Sequence, residues 1–78
     1  PDVFNERNKF VNRYLKPMLY EICPAFIDAE LITPSSGLTN NVLISIADGT
    51  HKLVDVTDLP MDKLVIAVME EVGEFFNE

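Results

Sequence analysis

The sequence predicts an α+β domain of order α-β-β-β-α, a two-layer sandwich in which two helices cover one face of a three-stranded antiparallel meander. Three observations carry that expectation. Two stretches, residues 5–22 and 58–78, repeat apolar side chains at helical spacing. Residues 25–33 alternate in the period-2 manner of a half-buried strand. Between them and the second helical stretch, NVLISIADGTHKLVDVT places two β-branched runs on either side of Asp48-Gly49, a strong hairpin signal because glycine readily supplies φ > 0.

In the first stretch, Phe10, Val11, Tyr14, Leu15, Met18, Leu19 and Ile22 fall on one broad face and Lys9, Asn12, Arg13 and Lys16 on the other. Asn5 is the expected N-cap, with Glu6 in the first turn beside the positive end of the helix dipole. Pro17 removes a hydrogen bond and crowds the carbonyl four residues back, so a kink or a break is expected there. Pro24 ends the helix, with Cys23 before it biased towards extended geometry. In the strand that follows, Ile27, Ala29 and Leu31 should point one way and Asp28 and Glu30 the other. Residues 34–41, PSSGLTNN, read as a surface loop.

The hairpin has two candidate registers. A two-residue loop pairs Ile44 with Leu53 and Ile46 with His51, whereas a three-residue loop keeps Val42, Ile44 and Ile46 on the same face as Val54 and Val56. Burial favours the second, because a one-residue slip turns the whole apolar set over. The last helix should be capped by Asp58, with Pro60 in its first turn and Asp62 complementing the dipole. Its stripe is Met61, Leu64, Val65, Val68, Met69, Val72, Phe75 and Phe76, and its outer face Lys63, Glu70, Glu74 and Glu78. Gly73 weakens a helix, so a close packing contact is expected at that point.

Seventy-eight residues suffice for one small domain spanning 1–78, and a chain that opens on Pro1 is expected to be processed or excised from a longer one. One cysteine allows no internal disulfide, and no apolar run reaches 18 residues. A cytoplasmic protein without a membrane partner is the expectation. The formal net charge is −7. It is unevenly spread: residues 1–22 hold four cations, Arg7, Lys9, Arg13 and Lys16, against three acids, and the remainder two cations against ten acids.

That layout argues against direct binding of nucleic acid. The element order is shared with the double-stranded-RNA-binding domain, but such a domain grips phosphate with basic residues at the start of its second helix, where this chain reads DLPMDK. Cys23 and His51, each unique, invite a nucleophile–base reading, yet Cys23 follows the negative end of a helix, which disfavours a thiolate. A partly buried, inert thiol and an exposed imidazole are expected instead. Asp55, Asp58 and Asp62 lack the alternating ligands and obligatory glycine of a calcium loop, and one His with one Cys excludes a structural zinc site within the chain. The glycines are scattered and no nucleotide, hydrolase or protease motif is present. We therefore expect no enzyme, no cofactor and no metal.

What remains is a binding protein. The open sheet face should carry Asp28, Glu30 and Asp55 around Leu43 and Leu53, an apolar centre with an acidic rim suited to a partner protein with a basic surface. Such a module would serve as a regulator, an adaptor or an assembly subunit, and an exposed strand edge would allow homodimerisation. The alternative uses the last helix: Glu70, Glu71, Glu74 and Glu78 could imitate a row of phosphates and make the chain an inhibitor of a DNA- or RNA-binding enzyme, of the phage or mobile-element type.

Overall fold

The first helical run begins at Val3 and ends at Ile22 in a computed structural model that describes residues 3–33 and 39–76. It has three segments: α1 (Val3–Phe10), a π-helical stretch (Val11–Leu15) and α2 (Lys16–Ile22). Asn5 is therefore inside the helix and not its cap. Pro17 neither breaks the run nor divides it. Ahead of it the helix widens, and the Lys16 N–H reaches back five residues to the Val11 carbonyl, so the missing Pro17 N–H is absorbed in a π turn.

The widening also sets which face is buried. Arg7, Val11, Leu15, Leu19 and Cys23 are all buried, each four residues after the last. In a pure α-helix a four-residue step drifts by about 40°, and the wider π turn takes that drift back. The stripe therefore stays on one line, which leaves Tyr14, expected on the apolar face, 67% exposed. Arg7, counted among the first helix's four cations, lies under the fold and is only 8% exposed. Its guanidinium donates from Nη1 to the Val56 carbonyl and from Nη2 to the Leu59 carbonyl, the latter at 2.6 Å.

Three strands follow, β1 (Phe26–Ile32), β2 (Asn41–Ile46) and β3 (His51–Asp55), in an antiparallel sheet of order β1-β2-β3. Together with the helices they make the expected α-β-β-β-α sandwich. β1 departs from simple alternation: its pairing with β2 slips between Phe26 and Asp28. That bulge turns Phe26 inward and leaves Ile27, expected in the core, 52% exposed. The hairpin adopts the three-residue loop. Ile46 N–H bonds to the Thr50 carbonyl at 2.9 Å, Val42 faces Val54, and Val56 N–H bonds to the Asn40 carbonyl at 2.9 Å. Within the loop Gly49 has φ +93° and donates to the Ile46 carbonyl, while the Asp48 carboxylate accepts the Thr50 N–H. The segment 34–38, most of the expected loop, lies outside the described residues.

The last helix, α3, runs from Met61 to Val72, with a 3-10 turn over Gly73–Phe75. Asp58 does not cap it. Pro60, extended at ψ 160°, occupies the cap position without a side-chain hydrogen bond, and its carbonyl takes the Lys63 N–H. Asp58 sits earlier, in the turn leaving β3. Leu64, Val68 and Val72 are buried on the α3 side, opposite Leu15 and Leu19 of the first run and Val42, Ile44 and Val54 of the sheet in one continuous core. Cys23 is fully buried, not partly so, and its thiol donates to the Phe75 carbonyl at 3.2 Å, tying the end of α2 to the end of α3.

Gly73 makes no close packing contact: a Cβ built there meets nothing within 4 Å, and its backbone is right-handed helical (φ −55°). Gly73→Ala should therefore raise the unfolding free energy by about 0.5–1 kcal/mol through the unfolded chain. Gly49 also has open space around it, but its positive φ makes Gly49→Ala cost about 1–2 kcal/mol. Urea melts of the two variants check the opposite signs.

Candidate functional site

Register and period 2 together lay out the face of the sheet turned away from the helices. It is a grid of nine side chains in three cross-strand rows: Asp28, Ser45 and His51; Glu30, Leu43 and Leu53; Ile32, Asn41 and Asp55. The intervening residues Ala29, Leu31, Val42, Ile44 and Val54 point into the core and are buried. All five residues expected on the acidic-rimmed face, Asp28, Glu30, Leu43, Leu53 and Asp55, thus share it. Leu53 is 59% exposed, an apolar side chain that the fold itself leaves in water.

Each acid has its own setting. Lys16 reaches round from α2 to place its ammonium 2.8 Å from Asp28. The hydrogen bond from Lys16 outweighs desolvation and lowers the Asp28 pKa, and the same bond raises that of Lys16. Asp55 accepts the Thr57 hydroxyl at 2.5 Å and the Thr57 N–H at 2.9 Å, and those bonds lower its pKa. Glu30 is exposed at the end of the leucine row. Cross-strand, the Ser45 hydroxyl and His51 Nδ1 are 3.3 Å apart.

These shifts imply a pH dependence. Asp28, Asp48 and Asp55 all have pKa values lowered in the fold, so their contributions are present above the unfolded value of about 3.9 and are lost as pH falls through the lower folded values. The raised Lys16 pKa acts at the other end, its contribution being intact below about 10.4 and lost only as pH rises through the folded value. Acid titration should therefore destabilise the chain below about pH 4. Asp28→Asn should flatten that limb by about 0.2–1 kcal/mol, as suits a half-exposed pair, in denaturation curves recorded from pH 2 to 7.

Sequence reasoning did not place Ile32, Asn41, Ser45 and His51 on this face, although Ile32 follows from the alternation of β1 and the other three once the three-residue loop is chosen. Lys16 left no signal, because its approach to Asp28 depends on how the helix lies against β1.

The second acidic surface is less regular than expected. Glu70 and Glu71 are exposed on α3, but the α-helix ends at Val72 and Glu74 belongs to the 3-10 turn. Glu74 also lies 3.9 Å from the Lys52 ammonium, and Glu78 falls outside the described residues. Among the described residues, Glu70, Glu71 and Glu74 therefore do not lie on one straight α-helical row. Cys23 and His51 are not brought together either, the first being in the core and the second on the open face. Of Asp55, Asp58 and Asp62, the first turns its carboxylate to Thr57, and among the described residues no three His, Cys, Asp or Glu converge as a metal ion requires. No helix among the described residues is long and apolar enough to cross a membrane. No family model, curated protein or solved structure matches the chain.

Proposed function

We propose that the chain is a non-catalytic interaction module that binds a basic surface of another protein through its open sheet face. The observation that carries this reading is the leucine row, a half-buried Leu43 beside an exposed Leu53, set among Glu30, Asp28 and Asp55 on the open sheet face. Apolar centres with polar rims are the anatomy of protein interfaces, and the rim acids select a partner of opposite charge. The buried, unpaired Cys23 thiol suits a reducing compartment, and we place the module in the cytoplasm.

Capture of partners from an extract of the native host, identified by mass spectrometry and repeated with variants, tests the proposal. Leu53→Asp and Leu43→Asp should each weaken capture of the identified partner by about tenfold or more, while Glu70→Lys and Glu74→Lys should leave it intact. The reverse pattern, with binding that falls steeply as salt rises, would establish the nucleic-acid-mimicking inhibitor instead. A partner indifferent to both sets sinks both surfaces.

A further inference from the structure

The two edges of the sheet are not alike. β1 is blunted in three ways: its bulge at Phe26–Asp28, the Tyr20 hydroxyl that donates to the Ile27 carbonyl at 2.8 Å, and the Lys16 ammonium on Asp28. Bulges, edge lysines and covering side chains are the devices by which proteins prevent edge-to-edge pairing. β3 has none of them. It contains no proline and no bulge, and its one lysine, Lys52, is drawn under the sheet, 5.8 Å from the centre of the Phe75 ring and 3.9 Å from Glu74.

The hydrogen-bond phase of β3 is also defined. The Thr50 carbonyl accepts from Ile46 of β2 and the Val56 N–H donates to Asn40 just before it, and with alternating antiparallel pairing Lys52 and Val54 face β2 in the same phase. The N–H and C=O groups of His51, Leu53 and Asp55 therefore point out of the sheet. Among the described residues no other strand lies beyond them. We infer that β3 pairs antiparallel with β3 of a second copy about a two-fold axis at Leu53, so that two three-stranded sheets become one of six strands.

Of the registers centred on one of the three outward residues, that on Leu53 alone makes the edge self-complementary. Centred on Leu53, all three outward residues pair: Leu53 with Leu53 of the second copy, and His51 with its Asp55, twice. Six backbone hydrogen bonds form, and the only titratable side chains on the open face of β3 meet an opposite or neutral partner. Centred on His51 or on Asp55, the pairing loses contacts and sets like residues against each other, which is unfavourable. At Leu53 the two Asp55 carboxylates stand about 14 Å apart, four residues along the strands, beyond the screening length at physiological salt. On the helix side Lys52 already has Glu74 beside it, so no unpaired cation is buried. The leucine row then runs unbroken from Leu43 through both Leu53 residues to the second Leu43, with a Glu30 at each end.

This inference rests on the strand edge and not on the partner reading, and it is read from the isolated chain. Sedimentation equilibrium across a concentration series should show a monomer–dimer equilibrium. His51→Lys, facing Asp55 of the second copy twice, should tighten it by about tenfold and His51→Asp should weaken it by about as much, both differences shrinking in high salt. Leu53→Pro should be monomeric, since the N–H it loses points out of the sheet and the monomer does not use it. If that variant fails to fold, the two exposed His51 variants carry the test. Leu53→Cys should cross-link to a covalent dimer on mild oxidation, because hydrogen-bonded antiparallel partners lie about 5.5 Å apart, within disulfide range. A chain that stays monomeric to its solubility limit, or a dimer indifferent to the charge at residue 51, overturns the proposal whatever the fate of the heterologous partner.

Discussion

Arg7→Ala should remove about 3 kcal/mol of unfolding free energy, a large share of the roughly 4–12 kcal/mol available to a chain of this size. Arg7 is the one buried charged residue among the described residues, and its guanidinium joins the first helix to the turn between β3 and α3. The Val56 carbonyl has a second donor in the Leu59 N–H at 3.1 Å, so the truncation strands chiefly the Leu59 carbonyl. Losing two charge-assisted bonds costs about 1.5–3 kcal/mol each, partly offset by the charge no longer being held out of water. The apolar stem is lost as well. Arg7→Lys should recover less than half, because one ammonium cannot span two carbonyls as the planar fork does. Urea denaturation measures both values, and a loss below 1 kcal/mol for Arg7→Ala would mean the bonds contribute little.

Arg7 also shows where sequence reading stopped. Its partners lie 49 and 52 residues further along the chain and are backbone carbonyls, which carry no side-chain signature. In the sequence it counted only as one of the first helix's four cations. The hairpin was legible for the opposite reason: Val42, Ile44, Ile46, Val54 and Val56 report burial locally, and only the three-residue loop puts them on one side. The five candidate face residues followed from the same alternation. The bulge that exposes Ile27 did not, because it answers to the meeting of β1 with β2 and not to the residues of β1 alone. Asp58 misled in a related way. An aspartate two residues before a proline has the composition of a cap, but the turn from Asp55 to Leu59 uses the backbone first, and the helix starts only at Met61.

The sharpest contrast on the sheet is between Ile44 and Leu53. Ile44 sits on the central strand, fully buried among both helices' side chains, and Ile44→Ala should cost about 3–4 kcal/mol, the transfer of the lost atoms plus a cavity the small core cannot close. In a domain of this size that shifts the melting temperature down by about 12–30 °C. Leu53→Ala removes a side chain of the same volume from the other face and should change stability by less than about 0.5 kcal/mol, as exposed positions do. Paired thermal and urea melts give the two numbers directly. If Leu53→Ala proves as damaging as Ile44→Ala, the face is a second core wall and the leucine row is there for folding. If the two differ as expected, folding does not account for Leu53, and the reason for keeping a leucine in water at the middle of an open strand edge has to lie in what that strand meets.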